Sequence, residues 1–353
     1  MIPLSPRKRE RERLAPLTFG FDDTTVERLE AAVCAHHDYR FAVAFNTPES
    51  ALLAALEAEG ITAGDTLLTG AMAPLHHYTA AARLQAALHY CDIGLDGNLY
   101  GKAIEALLPS THKAVLYFAF EGIRDNLQPL PATITPIQDL SASLAQAERS
   151  CTTLWSMESL MPEGLEKTGF VLTDNAEAAA RMKFYRAQGR KQGSLWNYDL
   201  LAAGTDGALS AASAAVALKQ MVLIHDACDR RREHAGKLDE LLRGNSLFDT
   251  IKRSPESVLR SYPILLTPQL YCPKEDIFTA IEAKGVEVSV CCKPVYKTAA
   301  FRDDGIRLTV TEDFYKALLQ LPCHHLLSAA EIETVAATVR EAVEVYAYRG
   351  CRF

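Results

Sequence analysis

Asp139 is the residue whose position most directly suggests chemistry. It follows the apolar segment ITPIQ, residues 134–138, which is predicted to be a strand. In a mostly parallel sheet, ligands bind at the carboxyl ends of the strands, so a carboxylate at this point can face a bound molecule. The alternative is a structural one, in which Asp139 caps the helix that follows.

The histidines and cysteines do not predict a metal site. Three adjacent histidine pairs, at 36–37, 76–77 and 324–325, occur without an HExxH or similar helical spacing. The nine cysteines include no CxxC, and the neighbours Cys291 and Cys292 match no usual zinc spacing. We therefore expect no metal. An odd number of cysteines without a disulfide framework also favours a reducing compartment.

The elements that must position Asp139 alternate between helix and strand over the first two hundred residues. Helices are predicted over 25–35, 49–59 and 79–88, and strands over 41–45, 65–69, 113–120 and 134–138. This alternation predicts an α/β fold with a mostly parallel sheet covered by helices on both faces.

The pattern changes near residue 208. A long helical stretch is followed by a smaller α+β portion with strands predicted over 262–266 and 286–290 and helices over 274–284 and 329–346. We place a domain boundary inside the long helical stretch. The prediction is a large domain over 1–230 and a smaller C-terminal α+β domain over 231–353.

Composition disfavours several classes of function. The chain has 37 basic and 44 acidic side chains, for a net charge of −7, which does not favour a nucleic-acid binder. No run of about 18 apolar residues predicts a membrane span, and no apolar leader predicts secretion, so a cytoplasmic location is expected. One basic segment, PRKRERER at 6–13, is either an arm for an anionic ligand or partner, or a solvated arm or helix turn.

Several longer segments resemble a known family when they are taken in order. They include RFAVAFNTPESALLAALEAEGITAGDTLL at 40–68, ITPIQDLSASL at 134–144 and IEAKGVEVSVCCKPVY at 281–296. Their order and spacing are similar to those of the DegT/StrS family of PLP-dependent sugar aminotransferases. The resemblance implies an aspartate-aminotransferase-like large domain, a smaller C-terminal domain and a homodimer. It also implies PLP as cofactor and a nucleotide-sugar ligand in polysaccharide biosynthesis.

The resemblance also assigns roles to individual positions. Asp139 matches the carboxylate that pairs with the pyridinium nitrogen of PLP. Ser156 matches the phosphate-binding serine, and Thr47 begins the segment that matches the phosphate-binding loop. The Schiff-base lysine of the family lies eight residues before a glycine that matches Gly169. That position is Met161, which can neither form a Schiff base nor act as a base.

Other parts of the family's cofactor site are also altered. Pro48 removes an amide donor from the phosphate loop, and Glu49 repels a phosphate. Residues 72–74 replace the aromatic residue that stacks on the cofactor, which leaves His76 or His77 as possible substitutes.

A basic segment supplies candidates for substrate binding. FYRAQGRKQG, residues 184–193, resembles a family segment near the active site. The resemblance predicts that Arg186, Arg190 and Lys191 bind substrate, and a solvated basic turn is the alternative.

Together the losses predict a divergent, transaminase-inactive homologue. It would keep the fold and the dimer, no longer hold PLP as the family does, and bind a nucleotide sugar or partner a functional enzyme in glycan synthesis. One alternative is an active sugar aminotransferase with a relocated lysine, for which Lys167, Lys183 and Lys191 are candidates. Another is a lysine-free PLP sugar dehydratase.

Overall fold

The structure is a computed structural model, and it describes residues 1–15, 20–108, 112–124, 127–192, 197–291 and 293–349. Cys292 lies outside the described residues. Seven strands form the main sheet: β1 Phe41–Phe45, β2 Thr66–Gly70, β3 Ala87–Cys91, β4 His112–Phe118, β5 Thr135–Leu140, β6 Thr152–Trp155 and β7 Gly169–Thr173.

The main sheet is mostly parallel. Its order is β1-β7-β6-β5-β4-β2-β3. Strand β7 pairs antiparallel with β1 and with β6, and the other paired strands are parallel. The α/β class and the mostly parallel sheet predicted from the sequence are therefore confirmed.

Helices cover both faces of this sheet. In the described part of the chain they are α1 Arg7–Leu14, α2 Thr25–His37, α3 Pro48–Ala58, α4 Leu75–Arg83, α5 Gly101–Leu107, α6 Ala176–Arg186, α7 Ala211–Met221, α8 Ile224–Leu242, α9 Lys274–Ala283, α10 Thr309–Ala317 and α11 Ala329–Arg349. Val43 packs in a core with α3 and α6, whereas its neighbour Ala44 packs in a core with α2 and α7. This alternation follows from strand geometry, because successive side chains point to opposite faces.

The start of α4 differs from the prediction of a helix over 79–88. The helix begins at Leu75, directly after Pro74, and ends at Arg83. Gln85 then adopts a left-handed conformation with φ of 57°, and Ala87 begins β3. Because β3 is a half-exposed edge strand, its sequence carries little apolar alternation. The earlier start brings two histidines into the first turn of the helix.

The C-terminal portion is built on a smaller antiparallel sheet. Its strands are β10 Phe248–Thr250, β11 Tyr262–Leu266 and β12 Leu318–Leu321, after a hairpin of β8 Arg190–Gln192 and β9 Tyr198–Leu200. The strand predicted over 286–290 is wrong. That segment makes isolated bridges from Val286 to Ile2 and from Ser289 to Gln320. The predicted domain boundary at 230 falls inside α8 and stays a prediction.

The basic N-terminal segment forms α1 and binds the chain itself. Arg7 pairs with Glu158 and donates to two backbone carbonyls nearby, and Arg9 pairs with Glu331. These arginines therefore join the N-terminal helix to both parts of the molecule. Among the described residues, no helix is long and apolar enough to cross a membrane.

Candidate active-site cleft

A cleft opens at the carboxyl ends of β2, β4 and β5. Its volume of about 510 Å³ is within the usual range for small-molecule sites. Phe118, the last residue of β4, lines it, as do Met72 and Ser141 just beyond the ends of β2 and β5. This is the edge of the sheet at which the sequence predicted a ligand.

Asp139 lies beneath the cleft floor in a network with two histidines. Its carboxylate oxygen Oδ2 is 2.5 Å from Nε2 of His76 and 2.9 Å from Nε2 of His77. The other oxygen, Oδ1, accepts a hydrogen bond of 2.7 Å from the backbone N–H of Ser141. Asp139 is 2% exposed, so both of its oxygens are engaged by the protein.

The charge on Asp139 is set by this network. Burial raises the pKa of the carboxyl, but the imidazoles of His76 and His77 outweigh burial and lower the pKa below its usual value. Burial lowers the pKa of His77, and its hydrogen bond to Asp139 opposes that effect. Asp139 is therefore an ionised carboxylate held by two imidazoles. From the sequence, the adjacent histidine pair was the only signal for this network.

Met161 does not reach the cleft. It follows a 3₁₀ turn over Glu158–Leu160 and is fully buried. It packs in the apolar core with Met157 and Leu160 and is not among the described residues that line the cleft. The side chain that the sequence analysis aligned with the family lysine is thus part of the core, and that alignment stays a prediction.

Ser156 is also buried, and its hydroxyl already has hydrogen-bond partners within the chain. Its hydroxyl donates to the carbonyl of Thr168 at 2.7 Å and accepts from the N–H of Glu158 at 3.0 Å. These bonds hold together the two ends of the loop before β7. The hydroxyl therefore has a structural role in the loop that joins β6 to β7.

Thr47 lines the cleft as the N-cap of α3. Its hydroxyl oxygen accepts from the N–H of Ser50 at 3.1 Å, and Pro48 occupies the first turn without an N–H. Glu49 also lines the cleft and pairs with Arg83 at 2.9 Å. This helix start offers fewer amides and more negative charge than an anion site at a helix N-terminus requires.

Among the described residues, a lysine and an arginine border the cleft. Lys167 lines it, and its Nζ is 3.0 Å from the carboxylate of Glu158. Arg260 lines it between Glu121 and Glu158, whose negative charges raise the pKa of its guanidinium. Lys183 is not among the described residues that line the cleft, and its Nζ lies 3.3 Å from the carboxylate of Glu30.

The three predicted substrate-binding residues are not among the described residues lining the cleft. Arg186 donates to Oε1 of Glu30 and to the carbonyl of Ala44, both at 2.7 Å. Arg190 and Lys191 lie on β8, where both are exposed. The substrate role of these residues stays a prediction, and the structure gives Arg186 a further role in joining α6 to α2 and β1.

Replacing Arg186 with alanine is expected to lower the free energy of unfolding by about 3 kcal/mol, because it leaves the buried Glu30 with a poorer partner. Urea denaturation measures this loss. Arg190→Ala is the matched control, since an exposed side chain should cost less than about 0.5 kcal/mol. An Arg186→Ala protein of unchanged stability would contradict the structural role.

The mostly parallel sheet with helices on both faces matches an aspartate-aminotransferase-like fold. The model of the DegT/DnrJ/EryC1/StrS aminotransferase family matches residues 18–133 and 164–340, and the chain belongs to this family. The unmatched residues 134–163 include Asp139, Ser156 and Met161.

Curated relatives of the chain are sugar transaminases. It is 29% identical over 344 residues to a UDP-4-amino-4,6-dideoxy-N-acetyl-beta-L-altrosamine transaminase of Campylobacter jejuni, covering 90% of each protein. It is 22% identical over 338 residues to a transaminase of the same name from Helicobacter pylori, covering 90% of this chain and 89% of the relative.

Solved structures confirm the fold. A Helicobacter pylori aminotransferase involved in the biosynthesis of pseudoaminic acid superimposes with a TM-score of 0.83 at 19% identity, covering 98% of this chain and 99% of that one. A putative sugar aminotransferase of Streptococcus pneumoniae in its PMP form gives 0.85 at 16% identity, covering 98% and 100%. The latter protein is also known in a PLP form.

Proposed function

We propose that this chain is a nucleotide-sugar-binding member of its family that does not carry out transamination at the family's lysine position. The proposal rests on Met161, which the resemblance to the family aligns with the Schiff-base lysine and whose side chain is buried in the apolar core. Without an amine at this point, the family's covalent attachment of PLP has no partner.

The remaining cofactor contacts support the same conclusion. The carboxylate of Asp139 already accepts from His76, which lines the cleft. The hydroxyl of Ser156 is already hydrogen-bonded within the loop that joins β6 to β7. Pro48 and Glu49 replace phosphate-binding groups at the start of α3. These residues do not fit the way in which a transaminase holds PLP.

A nucleotide sugar fits the charges of the cleft. Such a ligand carries an anionic diphosphate together with sugar hydroxyl or amino groups. Lys167 and Arg260 are cations at the cleft, whereas Glu121 and Glu158 can accept from hydroxyl or amino groups. The names of the curated relatives point to UDP-linked amino sugars as the class to test.

The proposal keeps a homodimer with a role in polysaccharide biosynthesis in the cytoplasm. Exposed apolar side chains on β9 and directly after it, at Tyr198, Leu200 and Leu201, support an interface there. No nucleic-acid role is proposed, since the net charge is −7.

Titration with PLP is expected to give no borohydride-reducible linkage, because no amine lies at position 161. The measurement is visible absorption before and after reduction, followed by mass mapping. Calorimetry with a UDP-linked amino sugar should show binding in the same preparation. A reducible linkage on a single lysine would contradict the proposal, and PLP bound without one would favour the lysine-free dehydratase.

A second candidate function is an active aminotransferase that uses Lys167. The observation that favours it is the position of Lys167 on the cleft wall, in reach of the same space as His76 and Ser141. Its ammonium group is paired with Glu158, which opposes its use as a nucleophile. A label mapped to Lys167, and lost in Lys167→Arg, would establish this alternative.

A further inference from the structure

His76, His77 and Asp139 bring three metal-ligand atoms together at the floor of the cleft. Their two imidazole nitrogens and one carboxylate oxygen all lie within 4.8 Å of one another. We propose that this triad binds one divalent transition-metal ion. The inference goes beyond the proposed function, since it requires neither a sugar ligand nor PLP.

The geometry needs only a small adjustment to accept an ion. Both Nε2 atoms converge on the same oxygen of Asp139, at 2.5 and 2.9 Å. Imidazole and carboxylate ligands lie about 2.0–2.2 Å from Zn²⁺, so neighbouring ligand atoms in a tetrahedral site are about 3.4 Å apart. The distances from the two histidine nitrogens to Asp139 Oδ2 would have to lengthen by about 0.9 and 0.5 Å to reach this spacing.

The groups behind the triad are arranged to hold the ligands in place. Nδ1 of His77 is 2.9 Å from the hydroxyl of Thr69, which is 3.4 Å from the carbonyl of Leu116. With an ion on Nε2, His77 would carry its proton on Nδ1 and donate a hydrogen bond to the hydroxyl oxygen of Thr69. The hydroxyl of Thr69 would in turn donate a hydrogen bond to the carbonyl of Leu116. Such hydrogen bonds fix the tautomer and orientation of metal-binding histidines.

The triad reaches the cleft through His76. The side chain of His76 is 14% exposed and lines the cleft, whereas those of His77 and Asp139 are buried. An ion held by these atoms would lie at the cleft floor with its remaining positions available to water or a ligand oxygen. Two imidazoles and one carboxylate with open positions suit Fe²⁺, Co²⁺ or Zn²⁺ better than Mg²⁺ or Ca²⁺.

Metal binding also excludes one role for Asp139. Its Oδ1 is held by Ser141, so Oδ2 is the atom that either an ion or a pyridinium N–H would use. The two cannot occupy it together. A protein with an ion bound at this site could therefore not also pair Asp139 with the pyridinium nitrogen of PLP.

The test uses chelator-treated full-length protein dialysed against Co²⁺ or Zn²⁺. We expect one ion per chain by elemental analysis, visible absorption bands from bound Co²⁺, and a rise in Tm with Zn²⁺. His76→Ala should lower the affinity for the ion at least about 10-fold and remove both the Co²⁺ absorption bands and the rise in Tm with Zn²⁺. His76→Gln, which keeps more of the side-chain volume, serves if the alanine variant is unstable.

His89→Ala is the matched control. Nδ1 of His89 is 2.9 Å from Nε2 of His112, and among the described residues this histidine pair is not part of a group of three metal-ligand side chains. The control should bind the ion as the unchanged protein does. Three results would overturn the proposal: no stoichiometric binding, equal binding by His76→Ala, or loss of binding in His89→Ala.

Discussion

Met161→Lys is expected to lower the free energy of unfolding by about 3–5 kcal/mol and to yield no borohydride-reducible PLP. The side chain of Met161 is fully buried among apolar residues that include Met157 and Leu160. A buried lysine must give up its charge, and its pKa then falls by up to about 3–5 units. Each unit corresponds to about 1.4 kcal/mol, and at pH 7.5 the roughly three units between this pH and the usual lysine pKa of about 10.4 give an expected loss of about 4 kcal/mol.

Urea denaturation at pH 7.5 measures the stability of this variant, and Met161→Leu is its control. Leucine has a similar volume and should cost less than about 1.5 kcal/mol. The informative contrary result is a Met161→Lys protein of unchanged stability that forms a reducible linkage with PLP. Position 161 would then still face the cofactor space, and a single substitution would have separated this chain from an active transaminase.

The protein is expected to lose stability steeply below about pH 6.5. Burial lowers the pKa of both His37 and His324 to about 3, against about 6.5 in an unfolded chain. Between these values the unfolded state binds more protons, so stability is fully present above about pH 6.5 and is lost as the pH falls toward 3. At pH 5 each histidine would account for up to about 2 kcal/mol.

Hydrogen bonds explain why both histidines must be neutral. Nδ1 of His37 accepts from the N–H of Ala147 at 3.0 Å. Nδ1 of His324 accepts from the N–H of Leu326 at 3.3 Å, while its Nε2 lies 3.1 Å from the carbonyl of Pro3. A proton added to either Nδ1 removes the acceptor of a backbone amide, which is buried for Ala147 and partly buried for Leu326.

Urea denaturation at pH 7.5 and at pH 5 tests this dependence. His37 and His324 together should account for up to about 4 kcal/mol of the loss between the two conditions, and His37→Asn should lose about 2 kcal/mol less than the unchanged protein. His89→Ala, which removes an exposed histidine, should follow the unchanged protein. Equal stability at both pH values would show that these histidines titrate normally.

Much of the fold could be predicted from the sequence because local patterns determine it. The strands predicted at Phe41–Phe45 and Tyr262–Leu266 have the observed bounds, since both are short apolar runs that become buried. The strand predicted over 286–290 was wrong, because that segment forms isolated bridges to distant residues instead of a ladder. An apolar run alone does not reveal whether a partner strand is available.

The sequence by itself determined the family, the mostly parallel sheet and the presence of methionine at position 161, since each depends on residue type and order along the chain. The tertiary structure decided what surrounds these residues. It buried Met161 in the core, brought Lys167 to the cleft wall and directed His76 and His77 onto Asp139. Residues 76 and 139 are 63 positions apart, and only the pairing of strands makes them neighbours.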